Sequence, residues 1–245
     1  MPDQDPILEE MASARERIRR RLEAAIAAIL QLAWAYRSAQ FRWEDYPELE
    51  EEVNAILRDL SDGILEDTEA RVRDALARIG LAEYDDGAWN YARGEIDGED
   101  AQYRLDMHGT HLKDLLAGWL VAASTSKLSS LQTRALVMPY LGNPEASKVW
   151  RGAGLGHLGW GKGYAANVLN GMTVISQDLI NRAFQYATLE DFKRKGAIGY
   201  RTERRSGYFC PLCDELTERI WPLDTMVLPA HPRCVCVAIP VYDQE

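Results

Sequence analysis

All four cysteines of this 245-residue chain fall in one stretch, CPLCDELTERIWPLDTMVLPAHPRCVC, residues 210 to 236, together with one of its four histidines. Any fold the chain adopts must therefore answer for a concentration of thiols at one place. Cys210 and Cys213 form a CxxC with Pro211 inside, a spacing at which two thiolates share one metal ion while backbone N–H groups turn toward the sulfurs. Cys234 and Cys236 are two residues apart, so on a strand they share a face, and His231 precedes them in HPRCVC. Seventeen residues separate Cys213 from His231, close to the gap between half-sites of zinc fingers and ribbons. Five candidate ligands thus meet four tetrahedral positions. The expectation is one structural zinc on Cys210 and Cys213 with two of His231, Cys234 and Cys236.

Other thiol chemistries leave different signatures. A redox CxxC belongs at a helix start behind a strand in an α/β unit, which the flanking pattern does not supply. A zinc deaminase wants HxE upstream, and none of the four histidines is followed two residues later by Glu. Disulfides stay open if the protein works outside the cell.

Upstream of the cluster the pattern is helical. Ile18, Leu22, Ile26, Ile29, Ala33 and Tyr36 recur at three- and four-residue steps over 13 to 38, with Ser13 and Glu16 spaced as a capping box. A second stripe, Val53, Ile56, Leu57, Leu60, Ile64, Val72, Leu76 and Ile79, runs from Pro47 in a first turn to Gly80 as the stop. Two helices with one wet face each predict an N-terminal hairpin or bundle. Trp34, Tyr36, Phe41, Trp43 and Tyr46 crowd its end, as a plug or as anchors for a partner. Glu10, Glu16 and Glu23 flank RERIRRR at helical spacing, which predicts a salt-bridged face rather than a nucleic-acid contact.

The breaker-rich EYDDGAWNYARGEIDGED predicts a boundary near Gly94, dividing the chain into residues 1–94 and 95–245. A helix follows over 101 to 124, and on it His108 and His111 stand one turn apart without the carboxylate of an HExxH pattern. Six glycines in RGAGLGHLGWGKGY, residues 151 to 164, read as a connector, since no GK[ST] or strand-to-helix context makes them a phosphate loop. Helical periodicity returns from Tyr164 to Lys195, with Val168, Leu169, Ile175, Leu179, Ala183, Tyr186 and Ala187 inward and Gly196 behind a basic last turn. AIGYRTE and VCVAIPVY then read as short strands. The expected fold class is mainly α with a small α+β, zinc-stabilised C-terminal unit.

Over more than half its length the chain resembles the phage Mu F-like minor head proteins, also called phage head morphogenesis proteins. The resemblance begins at EIDGEDAQYRLDMHGTHLKDLLAGWLVAASTSKLSSLQTRALVMPYLGNP. It continues through the Gly-rich run and YAANVLNGMTVISQDLINRAFQYATLEDFKR, and ends with GYRTERRSGYFCPLCDEL and HPRCVCVAIPV. The family's signature positions fall on Cys213, Asp214, His231, Pro232, Cys234 and Cys236, whereas Val235 and the SQDL at 176 to 179 depart from its pattern. The resemblance implies a structural protein without enzymatic activity, present in few copies in the capsid interior. Its implied partners are the portal, the major capsid protein and the scaffold, with packaged DNA a weaker one. Some members are fused to toxin domains, and none is expected after Glu245.

Composition agrees with that class. A net charge of -10 is unsuited to coating duplex nucleic acid. The start, MPDQDPILEEMASARERIRRR, lacks a charged-then-apolar leader, and no apolar run approaches the ~18 residues of a membrane span. A soluble protein of the host cytoplasm during assembly, and of the virion afterwards, is expected. The competing reading is a zinc-containing nucleic-acid-processing enzyme or effector, in which Arg201, Arg204 and Arg205 with Tyr200, Tyr208 and Phe209 form a basic, aromatic strip for a phosphate and a base.

Overall fold

The computed structural model describes residues 5–96, 98–142, 164–205, 210–230 and 234–243. These form helices α1 (Asp5–Ala33), α2 (Pro47–Arg78), α3 (Asp85–Ala92), α4 (Ala101–Thr125), α5 (Ser130–Gly142), α6 (Tyr164–Arg194) and α7 (Pro211–Leu216), with strands β1 (Gly199–Glu203) and β2 (Val237–Val241). The fold is mainly helical with a small antiparallel sheet near the C-terminus, as the sequence predicts. No described helix is long and apolar enough to cross a membrane. The Gly-rich run, residues 151 to 163, lies outside the described residues.

The chain groups into two compact units, each assembled from separate stretches: Met1–Ala14, Leu65–Ala101 and Val174–Glu245 in one, Arg15–Ile64 and Gln102–Thr173 in the other. Gly94, expected at a boundary along the sequence, lies within Leu65–Ala101.

In the unit formed by Arg15–Ile64 and Gln102–Thr173, α1 and α2 bury Ile18, Leu22, Ile26, Val53, Leu57 and Leu60, the predicted stripes. Gly63 leaves room for the guanidinium of Arg21, one nitrogen of which a Cβ there would meet at 2.4 Å. The aromatic cluster between them is largely a plug. Phe41 and Trp43 are buried edge to face at 4.8 Å, Tyr46 stacks on Phe41, and Trp43 Nε1 donates to the Lys113 carbonyl of α4 at 3.0 Å. Lys113 returns the contact by pairing with Glu50 at 2.7 Å. Glu16 pairs with Arg19 and Arg20, and Arg19 with Glu23, which makes the arginine-rich stretch a salt-bridged helix face.

Two local expectations are corrected. Ser13 does not cap α1: the helix starts at Asp5, with Pro6 suited to its first turn, because Ile7 and Met11 continue the buried stripe, and the Ser13 hydroxyl donates to the Glu10 carbonyl instead. The breaker-rich segment contains α3, whose Ala88, Trp89 and Ala92 are buried and whose first-turn Asp85 and Asp86 are both held by Arg73 at 2.7 Å. Gly87, read as a breaker, instead makes room for the ring of Tyr186.

Helix ends follow local rules. Gly80 and Gly196 both take φ of 78°, and behind each the chain closes a pair of bonds onto the last turn: Leu81 N–H to Leu76 O with Gly80 N–H to Ala77 O, and Ala197 N–H to Phe192 O with Gly196 N–H to Lys193 O. At the end of α4 the same pair of bonds forms with Lys127 in the left-handed position, φ 53°.

Gly171 does not interrupt α6. Its hydrogen leaves space for the ring of His108 on α4, which an added Cβ would meet at 2.1 Å. Alanine is otherwise favoured over glycine within a helix by about 1 kcal/mol, so the two effects oppose. Gly171→Ala is expected to destabilise the protein by about 1–3 kcal/mol through overpacking. In a His108→Ala background the same change is expected to become neutral or stabilising, and a double-mutant cycle by urea unfolding reads the reversal of sign.

Candidate metal centre

The C-terminal part of the first unit is built on the last turns of α6. Leu189 and Phe192 share a core cluster with Tyr200, Cys213, Leu228, Cys234, Cys236 and Ala238. After Gly196 turns the chain, β1 runs antiparallel to β2 in a register that sets Tyr200 opposite Pro240. Proline is tolerated there because Tyr200 exchanges both of its backbone bonds with Trp221 on its other edge, so the N–H that Pro240 lacks is not needed. Gly199 admits that third segment, since a Cβ would lie 2.8 Å from the Trp221 carbonyl oxygen. The Tyr200 hydroxyl then pins the returning loop, donating to Thr225 O at 2.6 Å and accepting from Val227 N–H at 3.1 Å.

Cys210 and Cys213 sit at the start of α7. Cys210 is the cap, its sulfur accepting the Cys213 N–H at 3.4 Å, and Pro211 occupies the first turn, where its missing N–H costs nothing. Cys234 and Cys236 immediately precede β2, and burial alternates along them, Cys234 and Cys236 inside and Val235 half-exposed. The Sγ atoms of Cys213, Cys234 and Cys236 lie within 4.8 Å of one another, and all three residues are at most 2% exposed. This buried group could hold a metal ion.

Burial pushes the Cys213 thiol far up, and the neighbouring sulfurs push the same way; burial also raises Cys236, against the backbone N–H of Arg205, which favours its thiolate. Thiolates so close together repel, so their ionised form calls for a cation among them. None of the four cysteines forms a disulfide. A donor set of thiolates selects soft or borderline ions, and a closed tetrahedral site is the structural kind, since catalytic metals keep an open position.

The structure thus brings together three of the five predicted ligands; Cys210, partly buried, lies against the Cys213 N–H and outside the group whose sulfurs are all within 4.8 Å of one another. His231 lies outside the described residues, as do Tyr208 and Phe209 of the basic, aromatic strip. The rest of that strip is dispersed: Tyr200 is in the core, Arg204 is paired with Asp214 next to Cys213, Arg205 faces Glu203 at 3.7 Å and Arg201 is exposed. His108 and His111 stand with ring centroids 6.1 Å apart. Burial, and then the neighbouring His111, lowers the His108 pKa.

Sequence reading missed the side chains that hold the cysteine segment from behind. Asn181 donates to Cys234 O, and Gln185 donates to Cys236 O at 3.0 Å, both from α6. The sequence carried little signal for them, since at helical spacing the two amides fall with Gln177, Asp178 and Thr188 as on a wet face; once buried, each costs about 1–3 kcal/mol unless it finds a partner.

Tyr200→Phe removes both bonds, to the carbonyl of exposed Thr225 and from the N–H of half-buried Val227, while preserving shape. It is expected to cost about 0.5–1.5 kcal/mol in urea unfolding. An unchanged midpoint would show that the hydroxyl does not hold the loop.

No family model, no curated protein and no solved structure matches the chain, so the reading of the site rests on its own chemistry and on the resemblance of its motifs.

Proposed function

We propose that the chain is a structural protein of a phage or prophage head, of the kind its motifs resemble, and that one zinc ion on Cys210, Cys213, Cys234 and Cys236 clips its C-terminal segment together. The observation that carries the clip is the convergence of three thiols, at most 2% exposed, within 4.8 Å. Two come from the segment before β2 and one from α7, so an ion between them ties the two sides of a long loop. The fourth position goes to Cys210, whose sulfur already accepts the Cys213 N–H, the arrangement expected of a CxxC half-site. Zinc suits a closed thiolate tetrahedron with no redox task; iron is the other metal of this donor set and would colour the protein.

With Cys210 as the fourth ligand the ion would keep no open position for substrate, which supports a structural rather than catalytic role. The head-protein reading rests on the collinear motifs and above all on the Cys-Asp…His-Pro-x-Cys-x-Cys finish, whose cysteines are the ones gathered in the core. On that reading the partners are portal, capsid or scaffold proteins and the location is the capsid interior.

Purified under reducing conditions, the protein is expected to carry about one zinc per chain by elemental analysis. Cys213→Ser and Cys234→Ser should lower both metal content and stability, since binding energy is folding energy in such sites. Cys236→Ser should lose zinc while His231→Ala keeps it; the reverse result would place His231 in the tetrahedron. A metal-free protein with two disulfides by mass spectrometry would overturn the clip.

The head role is tested separately. The chain is expected in purified heads of the phage that encodes it, in few copies by quantitative mass spectrometry, and to co-purify with portal rings. Absence from both would overturn the role and leave the metal reading untouched.

A further inference from the structure

Three amide side chains recur at four-residue steps along α6, and each donates to a backbone carbonyl of another segment. Gln177 donates to Met11 O at 2.7 Å, Asn181 to Cys234 O, and Gln185 to Cys236 O at 3.0 Å. A carbonyl oxygen only accepts, so chemistry fixes which end of each amide faces it. Gln185 also donates to Asn181 Oδ1 at 3.3 Å, coupling the last two. Both are nearly fully buried, at 4% and 2% exposed. Ile7, Leu8, Met11 and Phe184 line the space beside them, a small cleft of about 10 Å³ that no more than one water could fill.

The spacings match. Four residues of α-helix rise about 6 Å, and two residues of extended chain advance about 6.6 Å. Amides one turn apart therefore meet the carbonyls of Cys234 and Cys236 and skip Val235. With both carbonyls tied to α6, rotation of this short segment about its own axis is blocked, and the alternation of side chains along it keeps the two sulfurs on one face, toward Cys213.

We propose that Asn181 and Gln185 are positioning residues of the metal centre. They orient the Cys234–Val235–Cys236 segment so that its thiols are preset for the ion, without touching the ion themselves. This rests on the metal reading above. Gln177 makes the same kind of bond from the same helix to a carbonyl outside the cysteine segment, and so serves as the internal control.

The probe is Co2+, titrated into the reduced, metal-free full-length protein and followed by its thiolate charge-transfer and d–d bands, with affinity set by chelator competition. Asn181→Leu and Gln185→Met remove the donor at nearly constant volume. Each is expected to bind cobalt ten- to a hundredfold more weakly, as loss of partners behind a ligand shell does, with altered d–d bands. Gln177→Met is expected to keep wild-type affinity and bands although it too loses a hydrogen bond to a backbone carbonyl, here a part-buried one. Wild-type affinity in Asn181→Leu and Gln185→Met would overturn the proposal, and so would an equal loss in Gln177→Met, which would reduce all three to general anchors. If either apolar variant fails to fold by circular dichroism, Gln185→Asn keeps the donor on a shorter stem: an intermediate loss supports the proposal and wild-type affinity overturns it. Failure of the wild-type protein to take up cobalt would instead overturn the metal reading itself, and shows before any variant is compared.

Discussion

A helix buried on nearly every side has to find a partner for each polar group it carries. In the unit that holds the cysteines, α6 buries Leu179, Ile180, Ala183, Phe184 and Ala187, and yet also Ser176, Asn181, Arg182, Gln185 and Asp191. Each of these five is spent on another segment or on the helix end. Ser176 shares a hydrogen bond with Thr68 of α2, Arg182 reaches Tyr91 O and Gly94 O past the ring of Tyr91, and the two amides take the cysteine segment. Asp191 is held by Arg194 and Lys195 at the helix end; burial alone would raise its pKa, but the two cations hold it below the ordinary range. Polar burial on this scale costs more than it returns wherever a bond is unmade, and among the described residues Gln185 Oε1 and Thr188 Oγ1 of the same helix have no partner, so it specifies one arrangement of the segments around α6 rather than adding net stability.

The cysteine core depends on that arrangement. Two five-residue strands and a six-residue helix are too little to bury a core of their own. Leu189 and Phe192 of α6 supply one wall, Tyr200 fastens the loop on another, and the three thiols fill what remains. Small apolar groups when protonated, thiols fit such a core without metal; with metal they become its cross-link. The cysteine segment is thus not a free-standing finger but a layer laid on a helix.

Elsewhere the architecture rests on local rules. Glycine closes α2 and α6 where the chain must turn left-handed, and in the aromatic plug at the end of the α1–α2 pair the indole N–H of Trp43 is satisfied through α4. Gly63 and Gly171 act differently, as places where a guanidinium and an imidazole ring lie against a helix backbone.

Much of this was written in the sequence because it depends on neighbours a few residues away. The stripes of α1 and α2, the glycine stops at Gly80 and Gly196, the two strands and the meeting of Cys213 with Cys234 and Cys236 all follow from periodicity and spacing. What tertiary structure alone decided is where buried polar groups send their bonds. Ser13 stands where a cap should and is inside a helix, because Ile7 and Met11 found a place to bury; α3 forms in a breaker-rich stretch because Trp89 did the same and Arg73 holds its acidic start. Asn181 and Gln185 look like soluble-face residues until the carbonyls of Cys234 and Cys236, some fifty positions away, are set opposite them. A side-chain amide has no preferred partner in sequence; only the fold brings it one, and burial then makes that partner obligatory.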